Sequence, residues 1–206
     1  MARGRLITIE GIDGAGKSTL ADGLMAALRA RGIDVVVTRE PGGVAAAERI
    51  RSLVKDPEAQ IGARAEALLY AAARAQLVHE RLVPLLTAGT TVVLDRFVDS
   101  SLAYQGVGRW LGIDAVRAIN AFATDGLTPD RTLLLTLSAA LGRARSRGRD
   151  AVPDRLERED DAFFERIVAA YGRLAATEPA RIRAIDADQP TQAILADALR
   201  ELSDLF

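Results

Sequence analysis

The run "GIDGAGKST", residues 11–19, places four residues between Gly11 and Gly16-Lys17-Ser18. Glycines at this spacing let the backbone wrap until several N–H groups point inward, and the following helix adds its positive end, so the loop is a nest for polyphosphate. Lys17 is placed to reach the β- and γ-phosphates and the Ser18 hydroxyl to sit on Mg²⁺. Further along, "VVLDRF" ends an apolar run on Asp95 and Arg96. A carboxylate there helps hold a metal, and a guanidinium beside it offers a two-pronged grip on a phosphate. Tyr70 and Arg74 are four apart on a long helical segment, an aromatic plane beside a planar donor, which suits a nucleobase. The stretch 142–160, "GRARSRGRDAVPDRLERED", carries Arg143, Arg145, Arg147, Arg149, Arg155 and Arg158 and closes on acids. The phosphate loop points to a nucleoside triphosphate.

These residues need a frame at whose mouth they can meet. Short apolar runs at 5–10, 33–38, 91–95, 131–137 and 181–186 read as five strands; four are nearly continuous, as strands covered on both faces should be, and "RIRAID" alternates. Helical segments fall at about 17–31, 44–54, 62–88, 113–124, 138–147, 158–177 and 190–204. Strand and helix in alternation predict an α/β fold, a five-stranded parallel sheet wrapped by helices on both faces, within a single domain over 1–206. Ligands of such sheets bind at the carboxyl ends of the strands. Leu68, Ala71, Ala72, Ala75, Val78, Leu82 and Leu86 form an apolar stripe along the long helix, with Tyr70 and Arg74 on roughly the opposite face; Pro84 should kink that helix or end it early.

Composition narrows the chemistry. The chain has 206 residues, 49% hydrophobic and 27% charged, with a formal net charge of −1. No overall basic field would gather nucleic acid. Without cysteine there is no disulfide, thiolate metal site or cysteine nucleophile, and His79 alone excludes a multi-histidine site. No stretch approaches 18 uninterrupted apolar residues, so no membrane partner is expected and the cytoplasm is the expected compartment. Asn120 is the sole asparagine, so N-K-x-D is absent, and D-x-x-G does not recur outside the phosphate loop. A GTPase switch is thereby disfavoured. A nucleotide kinase, a deoxynucleoside kinase and a nucleotide-gated binding module remain. His79 and Trp110 suggest only local packing.

Six segments in order resemble bacterial thymidylate kinases: "EGIDGAGKST", "TREPGG" (38–43), "YAAARAQLV" (70–78), "DRFVDSSLAYQG" (95–106), "RARSRG" with "DRLE" (143–148 and 154–157), and "IDADQP" (185–190). The resemblance implies a P-loop kinase fold, phosphorylation of dTMP by ATP with Mg²⁺, and a homodimer packed through the long helices. For ATP it implies the loop residues Gly11, Ile12, Asp13, Gly14, Ala15 and Gly16 with Lys17, Ser18 and Thr19, and an adenine side formed by Arg143, Asp188 and Gln189. For dTMP it implies stacking on Tyr70, a bond from Arg74 to the thymine O4 edge, Ser101 on the pyrimidine, Tyr104 against a ribose 2′-hydroxyl, Arg96 on the monophosphate, and contacts from Asp13, Glu40, Pro41 and Gln105. Ser18, Asp95 and Glu157 are the implied metal residues.

Some relatives carry a basic residue in the phosphate loop where this chain has Gly14. The missing cation is then expected from the arginine-rich lid at about 142–158, with Arg155 as first choice for the transferred phosphate and Arg149 as second. Asp13, Lys17 and Arg96 complete the expected catalytic set. Several of the six lid arginines remain ordinary solvated charges, because one triphosphate cannot engage them all.

Overall fold

The computed structural model describes residues 3–147 and 153–206. Five parallel strands, β1 (Leu6–Glu10), β2 (Val35–Arg39), β3 (Thr91–Asp95), β4 (Arg131–Thr136) and β5 (Ile182–Asp186), lie in the order β2-β3-β1-β4-β5. β1 is central and buried at every residue, while β2 and β5, on the edges, mix buried, half-buried and exposed positions. Pairs such as Ile9 with Asp95 and Ile9 with Leu133 bring the strand ends to one rim.

Successive side chains of a strand point to opposite faces, and the core follows that rule. Ile7, Ile9 and Val93 join Leu24 of α1 (Lys17–Ala30), Ile167 of α8 (Asp161–Thr177) and Ala198 of α9 (Thr191–Glu201) on one face. Leu6, Val92 and Leu94 pack on the other with Leu77 of α3 (Ala63–Leu77). The remaining helices are α2 (Ala45–Lys55), α4 (Val83–Thr87), α5 (Val98–Ser101), α6 (Ile113–Thr124) and α7 (Ala139–Arg147). Asp160 caps α8, its carboxylate accepting from the Phe163 N–H at 2.7 Å.

The long helix is irregular in two ways. Val78–Leu82 forms a π-turn before α4, so the helix expected over 62–88 is interrupted next to Pro84, the residue expected to kink it or end it early, and then resumes. Pro84 cannot return an N–H to the preceding turn, and the widening falls immediately ahead of it. The apolar stripe also splits. Ala71, Val78, Leu82 and Leu86 are buried, but Leu68 and Ala72 face solvent, and the charged Glu66 and Arg74 are buried instead. The helix turns these two charges inward because their partners wait there. A second π-turn, Leu102–Gly108, continues α5 and carries Tyr104 and Gln105.

Leu24 is fully buried beneath the sheet. Leu24→Ala should destabilise the fold by about 2–5 kcal/mol, read in urea as a lower midpoint with an unchanged slope.

Candidate active site at the carboxyl rim of the sheet

The phosphate loop runs from β1 to α1 with positive φ at Gly11, Gly14 and Gly16 (139°, 82° and 92°), a region open to glycine. The Lys17 ammonium folds back to donate to the Ile12 carbonyl at 2.9 Å and lies 3.7 Å from Asp13 Oδ1. Burial and the neighbouring Arg96 pull Lys17 down to about 8, against the pull of Asp13 and Asp95. The Ser18 hydroxyl donates to Asp95 Oδ2 at 3.0 Å; Asp95 Oδ1 is buried with no partner. Gly14 has a further reason to lack a side chain. A Cβ there would stand 2.2 Å from the Gly142 carbonyl oxygen of α7, and one on Gly142 would meet Ile12 at 2.4 Å. Two bare backbones thus join the lid helix to the phosphate loop.

Arg96 sits one residue past β3 in a left-handed conformation (φ 70°), its N–H bonded to the Ile9 carbonyl at 2.9 Å. Its guanidinium donates to Asp13 Oδ1 at 2.8 Å, Ser100 Oγ at 3.1 Å and Tyr104 Oη at 3.4 Å, and lies 5.1 Å from the Tyr104 ring centre. Burial raises the Asp13 carboxyl, but Arg96 and Lys17 outweigh it and hold the group well below the usual carboxylate range. Beneath Arg96 lies Glu10, which the sequence reading passed over. It accepts from the Phe97 and Ser100 N–H groups and from the Ser100 and Tyr171 hydroxyls. Burial and the Asp99 carboxylate push it up to about 7. An acid closing an otherwise apolar strand was the available signal.

Across the cavity from the loop stand Tyr70, Arg74, Ser101, Tyr104 and Gln105, with Glu40 and Pro41 following β2. Arg74 is buried and occupied. Nε and Nη2 hold Glu40 Oε2 at 2.8 and 2.6 Å, Nη1 donates to Ser101 Oγ at 2.9 Å and to Asn120 Oδ1, and Nη2 reaches the Phe97 carbonyl at 2.8 Å. Burial raises the Glu40 carboxyl, opposed by Arg74. Gln105 donates to Glu66 Oε1 at 2.7 Å. Glu66, fully buried, also takes Arg109 and Arg155; nothing in the helical pattern pointed to it.

The lid residues are distributed unequally. Glu157 lines the cavity; it accepts from the Ser146 hydroxyl at 3.3 Å and the Asp154 N–H at 3.0 Å. Arg155 points elsewhere, its guanidinium on Glu66 at 2.6 Å and on the Val54 carbonyl at 3.2 Å. Lys55 holds Asp154 at 2.8 Å, so this end of the lid is fastened to α2 and α3. Arg149 lies outside the described residues. On the far side of the loop a second cavity is lined by Gly14, Ala15, Gly16 and Thr19 together with Gln189 and Arg145. Arg145 bonds the Ala187 carbonyl at 2.9 Å and Asp188 at 3.1 Å. Arg143, expected there, instead pairs with Asp161 at 3.0 Å and lies 5.0 Å from the Phe164 ring centre. Its helical neighbour two positions on takes the place because the two side chains leave α7 in different directions.

One loop therefore forms a wall of two cavities. The first draws on segments after β1, β2 and β3, the second on segments after β1, β4 and β5. Backbone donors between two concave sites, with Lys17 and Arg96 beside them, can hold two anionic ligands end to end. Among the described residues no cluster of three or more His, Asp or Glu is set to hold a metal, and no helix is long and apolar enough to cross a membrane.

The family model for thymidylate kinase matches residues 9–198. The chain is 50% identical over 207 residues to the thymidylate kinase of Rhizorhabdus wittichii, covering 98% of this chain and 99% of that protein. It is 48% identical over 204 residues to that of Deinococcus radiodurans (99% and 98%) and 47% over 202 residues to that of Alkalilimnicola ehrlichii (98% and 93%). Matched nearly from end to end in sequence, and carrying the two-sided phosphate loop in its fold, this chain belongs to the thymidylate kinase family.

Proposed function

We propose that the chain transfers the γ-phosphoryl group of ATP to dTMP, giving dTDP and ADP, as one domain over residues 1–206. The observation that carries this reading is the phosphate loop exposed to both cavities at once. A triphosphate whose base lies by Arg145, Asp188 and Gln189 has its terminal phosphate directed past Lys17 toward Arg96. A monophosphate held by Arg96, with its base between Tyr70 and Ser101, meets it in line. Phosphoryl transfer asks mainly for such positioning and for fixed positive charge around the transferred oxygens. Lys17 and Arg96 supply that charge, and Asp13 aims both cations across the gap. Arg74 fixes Ser101 beside the base, and Tyr104, against Arg96, narrows the room at the sugar. A free nucleoside would leave Arg96 with no phosphate to hold, which favours the monophosphate over a nucleoside as acceptor.

Magnesium fits the residues present. Asp95 Oδ1 is a buried acceptor without a partner, next to the Ser18 hydroxyl, and Mg²⁺ is commonly held by one or two protein oxygens with substrate phosphates and water. Ser18 and Asp95, with Glu157 across the cavity, would hold it there. Bound there, the ion would offset the negative charge of the phosphate oxygens. We place the enzyme in the cytoplasm, where both nucleotides are at hand. We also propose a homodimer. α3 packs between α2 and α6, and the three expose Leu53, Leu68 and Phe122, the last 93% exposed. A shared two-fold patch would cover them.

Four measurements bear on this. In a steady-state screen, dTMP should be phosphorylated and thymidine should not. Arg96→Ala should lower kcat/KM for dTMP about 10–100-fold, the loss of a hydrogen bond to a charged group; preference for thymidine would reject the reading. Arg155→Ala should lower kcat less than about 10-fold and remove about 1–3 kcal/mol of stability, because its guanidinium holds Glu66. A fall of 10²–10⁵ in kcat would return Arg155 to the transferred phosphate. Sedimentation at micromolar concentration should give twice the 22.0 kDa chain mass, and a monomer would refute the dimer.

A further inference from the structure

We propose that Glu10 is a positioning residue for Arg96: its buried carboxylate holds the left-handed turn after β3 and so aims the guanidinium into the cavity. The proposal rests on the assignment of Arg96 to the acceptor phosphate.

Arg96 occupies a conformation that a non-glycine residue seldom adopts, and the next peptide turns sharply into α5. Such a turn persists when its surroundings over-determine it. The Ile9 carbonyl fixes the N–H of Arg96 on one side. On the other, Glu10 Oε1 takes the Phe97 N–H at 2.7 Å and the Ser100 N–H at 3.3 Å. The last residue of the central strand therefore grips the backbone just past the strained residue. The same carboxylate reaches the guanidinium through one relay. Ser100 Oγ donates to Glu10 Oε2 at 2.5 Å and accepts from Arg96 Nη1 at 3.1 Å. Tyr171 Oη, from α8, completes Oε2 at 2.8 Å.

Glu10 is not itself a group of the reaction. It is fully buried and does not line the cavity, and four donors already converge on its two oxygens. Nor does Glu10 pair with the half-buried Arg181. Arg181 is held by both oxygens of Asp99, at 2.7 and 2.9 Å, and by the Thr132 hydroxyl at 2.8 Å. Glu10 holds Phe97, Ser100 and Tyr171 by hydrogen bonds, and through Ser100 that network meets the cavity-lining cation Arg96.

The test is a double-mutant cycle on the full chain, with kcat and KM for each nucleotide and the Tm of every variant. Glu10→Gln keeps the side-chain volume but turns one acceptor into a donor. It should lower kcat/KM for dTMP about 10–100-fold, the size of losing hydrogen bonds to a charged group, and leave KM for ATP within about twofold. Added to Arg96→Ala, it should cause less than about a twofold further loss, because the group it positions is already gone. Tyr171→Phe removes a single donor; it should give a smaller loss that likewise vanishes in the Arg96→Ala background, and it replaces Glu10→Gln if that variant does not fold. Losses that multiply, or a KM for ATP that rises with that for dTMP, would mean a general packing role and overturn the inference while leaving the function intact. If Arg96→Ala alone leaves the dTMP parameters unchanged, the assignment of Arg96 fails and this inference fails with it.

Discussion

At Gly14 and Gly142 two stretches of backbone come close enough that neither tolerates a side chain. That contact seats α7, and hence the base of the lid, directly on the phosphate loop. It explains why the loop can carry no basic residue at position 14, where some relatives have one: the space is taken by another chain segment, and a side chain would have to displace backbone. The arginines of α7 then start from a fixed point beside the second cavity, and Arg145 reaches Ala187 and Asp188 from there.

The rim of the sheet is organised as alternating charge. Asp13 stands between Lys17 and Arg96, Asp95 answers Ser18, Glu40 answers Arg74, and Glu66 gathers Arg109 and Arg155. Pairs taken out of water give little net stability on their own, since desolvation opposes attraction. Their value here is geometric. Asp13, Glu40 and Glu66 each fix a guanidinium or ammonium in one direction before any ligand arrives, which is the condition for electrostatic preorganisation. The π-turn at Leu102–Gly108 serves the same end by presenting Tyr104 to Arg96 and Gln105 to Glu66 on successive residues.

Much of this was legible in the residues. The glycine spacing marked the loop, and Asp95-Arg96 at the end of an apolar run marked the rim. Tyr70 and Arg74 line the same cavity, as their four-residue spacing on a helix allowed. Arg74 was read as lying opposite a buried apolar stripe, and here the reading failed. Helical periodicity assumes that the apolar face turns inward, whereas Glu40, Ser101 and Asn120 draw Arg74 into the buried face beside Ala67, Ala71 and Leu77. Arg155 escaped for a related reason. Its partner Glu66 is 89 positions away in sequence (155 − 66), and no local pattern reports a pairing between segments so far apart.

By itself, then, the sequence determined what depends on near neighbours: five strands, the helices between them, a loop that must bind phosphate, and the residue types at the strand ends. Only the tertiary structure decided which arginine lines the cavity beside the loop and which is fastened to a buried acid. It also decided that Glu10 closes beneath Arg96, and that one loop serves two cavities. Strand and helix signals are written within a few residues, because hydrogen bonds and side-chain periodicity act over that range. The direction of a long charged side chain is set by whichever opposite charge the fold brings near it, and that is a property of the packed chain alone.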